Sequence, residues 1–305
     1  MAESLRSLPG VCDVDYLRGS AAAADAAPDV LLEVAHGATR AADFDTLRTQ
    51  LRGRYDDGLR DFFFVNTDVG APELAAAVAQ RIVQTQPRRT VLVVRCRIPR
   101  TFVDCNRRVD RDSVPKASKA GEMTPGMPPW VQEPADQQLL LDRYFAYRAV
   151  VEAAFGSVLP GGLTLFVHTY APRSIDVAVD EHIGRNLRAA YAADRIGSWP
   201  LRAGVDLITH DPDGRELASP VLAKRAAAEF AAAGFDVVQN GTYALHPVTL
   251  AHSFAVQRPE STLCLEVRRD LLLREFTPFV ELFPEPAAVA RAAAPLANAV
   301  LTTLR

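Results

Sequence analysis

The sequence predicts an α/β fold: one domain on a central, mixed but mostly parallel sheet flanked by helices. Three observations predict it. Short β-branched or aromatic runs alternate with longer Ala/Leu-rich runs of helical period. Most of the short runs are continuously apolar, the pattern of strands covered on both faces. The chain has 305 residues, 49% of them hydrophobic, enough for one large core.

Strands are expected at 30–35, 62–66, 91–96, 163–168, 205–209 and 263–267. Helices are expected at 43–52, 72–84, 137–155, 180–193, 220–233 and 286–304. Pro72 and Pro220 stand where a first helical turn tolerates proline, and Gly234 suits a C-cap. Residues 1–28 are weakly patterned. They are expected to wrap the surface or form a short helix, as an extension to a domain at 29–305. Residues 108–136 break the rhythm with Pro115, Pro125, Pro128, Pro129, Pro134 and two glycines. A stretch of that length without helix or strand pattern reads as an ordered, lid-like insertion.

Composition excludes several classes. The formal net charge is −3, with no basic excess for nucleic acid and no polybasic tract for a membrane surface. The Ala-rich stretches are too short and too charged to span a bilayer. Cys12, Cys96, Cys105 and Cys264 share no ligand spacing and read as reduced thiols of a reducing compartment. No apolar leader opens the chain, so a cytoplasmic location is expected. A GxSxG elbow, a P-loop, a GxGxxG after a strand and an HExxH are all absent.

Three histidines follow directly on apolar runs: His36 in LLEVAHGAT, His168 in LTLFVHTYAP and His210 in VDLITHDPDG. In open α/β sheets the C-terminal strand ends form the binding crevice, so polar residues that end strands tend to meet there. A lone histidine in such a place reads more readily as a hydrogen-bonded core or loop residue, and it is two or three at equivalent strand ends that bring the functional reading level with it. Asp68 ends FFFVNTD, and Gly70 after it permits a tight turn. Glu266 lies inside LCLEVRR, where a buried carboxylate needs a partner: a cation, or Arg268 if the pair faces solvent. Cys264 shares its face, and Leu265 and Val267 take the other. The stretch TFVDCNRR at 101–108 offers Asn106 and Arg107 as a carboxylate clamp. Arg173 and Arg268 are further candidate substrate contacts.

Four blocks then resemble the N-formylglutamate amidohydrolase family, from about Val30 to Leu273. VAHGAT is similar to its strand and P-H-G/S-G. TDVGAPEL is similar to its D-x-x-x-x-E-L block. RTFVDCNRR is similar to S-R-x-V-x-D-x-N-R, with Pro99 in place of the serine. LCLEVRRDLL is similar to I-E-I-R-x-D-L. VHTYAP stands where the family carries an H-S or H-T element. The resemblance implies a phosphorylase/hydrolase-like fold related to zinc carboxypeptidases and aspartoacylases. It implies hydrolysis of a small N-acyl, N-formylglutamate-like amino acid. It implies a zinc ion on His36, His168 and Asp68, with Glu73 the fallback for the acid. Glu266 matches the general base, and Asn106 and Arg107 the carboxylate-binding pair, Arg107 or Arg173 also steadying the oxyanion. Two other readings stay open: a deacylase or carboxypeptidase on another N-acyl amino acid or peptide, and a non-catalytic ligand-binding member. Tyr147-Arg148 stands where many members carry Tyr-His.

Overall fold

The computed structural model describes residues 5–304. In chain order the elements are β1 (Cys12–Arg18), β2 (Val30–Val34), α1 (Ala41–Arg48), α2 (Gly58–Asn66), α3 (Ala71–Thr85), β3 (Thr90–Cys96), α4 (Pro134–Ser157), β4 (Leu163–Tyr170), α5 (Ile183–Ala190), β5 (Val205–Ile208), α6 (Pro220–Ala232), β6 (Val237–Gln239), α7 (Leu250–Ala255), β7 (Thr262–Arg268) and α8 (Pro286–Thr303). The strands form one mixed sheet in the order β1-β3-β2-β4-β7-β5-β6. β3, β2, β4 and β7 run parallel to one another, and so do β5 and β6. β1 on β3 and β5 on β7 are antiparallel. The predicted α/β class and mostly parallel sheet are both present.

The continuous apolar strands are covered on both faces, as their composition requires. Val30, Leu32, Leu165 and Leu265 face a core shared with α3, α6 and α8. Leu31, Phe166 and Cys264 face a second core with α2, α4 and α7. Along β2 and β7 the first face is apolar throughout. On the second, the β4 and β7 side chains turn polar toward the C-terminal edge, at His168 and Glu266, and the site lies there.

The differences from expectation have local causes. The run at 62–66, expected as a strand, is the second half of helix α2. Leu59, Phe62, Phe63 and Val65 are spaced for one helical face, and Phe64 is buried as well, so the run reads as unbroken apolar. Residues 12–18, expected in a surface extension, form edge strand β1 on β3. The CDVDYLR pattern is weak because, at the sheet edge, neither face is fully covered and only Cys12 is buried. β6 and α7, with three and six residues, are too short for periodicity to announce. Pro72 and Pro220 do sit in first turns, and Gly234, at φ +79°, follows the end of α6. Among the described residues no helix is long and apolar enough to cross a membrane.

Candidate active site

The chain leaves β2 at Val34 and reaches His36 two residues later. Gly37 makes this exit possible, since a Cβ there would lie 2.5 Å from Arg95 Cγ and 2.9 Å from the Cys96 carbonyl oxygen. Asp68 sits in the turn between α2 and α3, and Gly70 closes that turn at φ +92°. His168 is on β4, two residues before its end, with Glu266 of β7 beside it in register.

These pieces converge. His36 Nδ1 lies 3.3 Å from Asp68 Oδ2, and His168 Nδ1 lies 3.0 Å from the same oxygen. The two rings are 5.1 Å apart, and ligand atoms of all three residues fall within 4.8 Å of one another. All three are buried. Burial alone would keep the Asp68 carboxyl neutral, but the histidines outweigh it and hold it well below the usual carboxylate range. Burial likewise opposes charge on His168, yet the Asp68 bond prevails and pushes the ring up to about 9. Asp68 Oδ1 accepts from Arg269 Nη2 at 3.2 Å, which leaves Oδ2 for the histidines.

The donor set fits a divalent cation. His36 Nε2 stands 2.7 Å from Asp104 Oδ1. A carboxylate only accepts, so Nε2 carries a hydrogen toward Asp104, and a cation held between His36 and Asp68 would meet the lone pair of Nδ1. A carboxylate behind a histidine is the usual support of a metal-binding imidazole. Two imidazoles, a carboxylate and an open side suit zinc.

Glu266 lines the cavity above this group. Its Oε2 is buried with no hydrogen-bond partner among the described residues. Burial, partly countered by the His168 charge, pushes its carboxyl up to about 7. Its strand parity is as expected: Cys264 shares its side, while Leu265 and Val267 join the other core.

The clamp residues also reach the cavity, whose volume is about 660 Å³. Asn106 Nδ2 lies 3.5 Å from His168 Nε2, and its backbone N–H donates to Asp104. Arg107 donates to the carbonyl and hydroxyl of Thr124, which fixes its guanidinium against the 108–136 segment. That segment is irregular up to residue 133, its last three residues forming the first turn of α4, and it is tied down. Ser118 and Val179 exchange backbone hydrogen bonds, and Gly121 N–H donates to Asp176. Arg173 lines the cavity and donates to the Trp199 carbonyl.

Other expectations move. Arg268 does not line the cavity; its side chain pairs with Asp270 and donates to the Arg202 carbonyl. The neighbouring arginine, Arg269, is the one that turns inward. Glu73 pairs with Arg40 and stands apart from the histidine group. His210 bonds locally with Thr209 and Asn240 and stays outside the cavity. Arg148 is on the outer side of α4, paired with Glu152, while Tyr147 points inward and donates to Glu33. The Tyr147-Arg148 departure therefore leaves the cavity walls untouched.

Sequence reasoning missed Asp104, Arg100, Arg202 and Arg269 as site residues. Asp104 and Arg100 stood in the block around the clamp; Arg100 Nη2 donates to Asp104 Oδ2 at 2.8 Å. Arg202 gave no signal. It lies in an irregular stretch, and Ser174, Tyr170 and Tyr243 meet it from distant segments. It lines the cavity with no carboxylate in ion-pair range among the described residues.

The N-formylglutamate amidohydrolase from Ralstonia eutropha JMP134 is similar over 96% of each chain, with 18% identity and a TM-score of 0.56. A gene product from Agrobacterium tumefaciens is similar over 96% of this chain and 94% of that one, with 17% identity and a TM-score of 0.51. At such identities these likenesses show a common fold. No curated protein matches the chain. The family model for N-formylglutamate amidohydrolase matches residues 29–273. The chain belongs to the N-formylglutamate amidohydrolase family.

Proposed function

We propose that the protein is a zinc-dependent hydrolase that cleaves the amide of a small, N-formylglutamate-like N-acyl amino acid. One observation carries this reading. Two imidazoles and a carboxylate from three separate segments converge beneath a glutamate whose buried oxygen has no hydrogen-bond partner among the described residues.

His36, Asp68 and His168 would hold the ion, with Asp104 steadying His36 and Arg269 steadying Asp68. When bound there, zinc lowers the pKa of water to about 7 and polarises a carbonyl. Asn106 and Arg107 grip a substrate carboxylate and so set the scissile amide over the histidines. Glu266 accepts a proton from the attacking water and returns it to the leaving amine, giving a carboxylic acid and a free amino acid. Arg100 and Arg107 supply positive charge for the oxyanion as it forms. Arg202 offers a further anion contact. The domain is 29–305 with edge strand β1 attached. Residues 108–136 act as a lid: Gly121 to Thr124 already face the cavity, and Thr124 holds Arg107. Four free, buried cysteines suit a reducing, cytoplasmic setting.

The test is release of free amino acid from N-formylglutamate by metal-depleted and zinc-restored protein. Turnover that appears with zinc and is lost in Glu266→Gln supports the reading. Turnover that persists in Glu266→Gln removes that residue from the mechanism.

A further inference from the structure

The cavity exceeds what the reacting groups need. Its volume is about 660 Å³. A formylated acidic amino acid has only about a dozen heavy atoms, small beside the drug-sized ligands that such cavities enclose. Part of the cavity wall is apolar, beside the arginines and other polar groups. Phe62 and Val65 enter from α2, Ile183 and Leu187 from α5, and Val177 from the stretch before α5. Ile183 and Leu187 are one helical turn apart, so α5 presents a single apolar face. Met123, on the 108–136 segment, completes this wall yet is 41% exposed.

α5 and α2 pack against each other, and their inner side chains are buried in the core. Met123 is not: it faces the cavity with apolar surface left to water. A single exposed methionine is ordinary on a surface, but this one adds to the apolar side chains that line the same cavity, and it is that continuity which suits an apolar ligand group. None of the polar groups assigned to the reaction lies on α5.

The geometry points to a substrate whose non-reacting part is an apolar group several carbons long, seated between α2, α5 and Met123 while its amide lies over the histidines. This rests on the hydrolase reading above and extends it from a formyl compound to a bulkier N-acyl amino acid. The apolar group has two possible sources, the acyl chain or the side chain of the amino acid.

Two ligand series separate the sources. Affinities are measured by calorimetry on zinc-loaded Glu266→Gln, so that binding is read without turnover. One series runs from N-formylglutamate through the acetyl and butyryl to the hexanoyl compound. The other runs from N-formylalanine to N-formylleucine and N-formylphenylalanine. Affinity is expected to rise about three- to fourfold per added methylene in one of the series, the value for a fully buried CH₂. Met123→Asp, at an exposed position, is expected to weaken the longest ligand several-fold more than the formyl parent. Flat or falling affinity in both series overturns the inference. Wild-type hydrolysis of the same compounds keeps the two ideas apart. Rising affinity with no hydrolysis keeps the apolar subsite and removes the hydrolase reading. Hydrolysis without any dependence on length keeps the reading and removes the subsite.

Discussion

His168 and His210 look alike in the sequence: each follows an apolar run and precedes a turn-forming stretch. In the fold their fates differ. β4 runs parallel to β2 and β7, so His36, His168 and Glu266 reach the same edge of the sheet. β5 runs antiparallel to β7, with Ile208 opposite Cys264, so its end points back toward the start of β7. His210 is carried to the other side and settles against Thr209 and Asn240. A polar residue at a strand end thus marks a crevice only when the strand shares the direction of its neighbours. Periodicity does not encode direction.

Substitutions can break or sharpen this contrast. His168→Ala is expected to lower kcat by at least about a thousandfold, since it removes one of three candidate ligands from a centre that contributes several kcal/mol. His210→Ala should leave kcat within about twofold, as surface and loop changes usually do. A comparable loss in His210→Ala would break the comparison.

Glu266 gives the next largest effect. Glu266→Gln should cost about a hundredfold to ten-thousandfold in kcat, the usual worth of a positioned general base, with metal content retained. Its carboxyl is raised to about 7, so the base is ionised above that value and protonated below it. The wild-type kcat/KM should therefore fall as pH drops through about 7 and level off above it. A profile flat down to pH 5 would contradict the assignment.

Asp104→Asn tests the support behind His36. The carboxylate that holds Nε2 is lost while the ligand set stays, and apparent zinc affinity should fall about ten- to hundredfold in a competition titration. The smallest effects separate two neighbouring arginine choices. Arg202→Ala removes a charged contact from the cavity and should raise KM about tenfold or more, with kcat less affected. Arg268→Ala breaks a partly buried pair with Asp270 that lies outside the cavity and should change KM by about twofold at most.

Much of the site was legible because it obeys short-range rules. Strand ends placed His36 and His168, the Gly70 turn placed Asp68, and alternation turned Glu266 away from Leu265. What was not legible depends on distant packing. The FFFV run could be a strand or a buried helix, and only Leu59 and its neighbours in the folded core decide it. Arg269 rather than Arg268 faces Asp68, because the chain leaves β7 at Arg268 and enters a tight turn. Arg202 owes its place to Tyr170 and Tyr243, neither near it in sequence. Asp104 was visible inside its block, but its role behind His36 needed the fold to bring residues 68 positions apart together.

In this reading the strand-end histidines and Asp68 form a metal centre. Its most direct test is metal content by mass spectrometry, on protein purified with zinc supplied and then freed of loosely bound ions. The account predicts about one zinc per chain in the wild type, retention in His210→Ala, and loss in both His36→Ala and His168→Ala with circular dichroism unchanged. Wild-type protein without metal, or His168→Ala with its full complement, would contradict it.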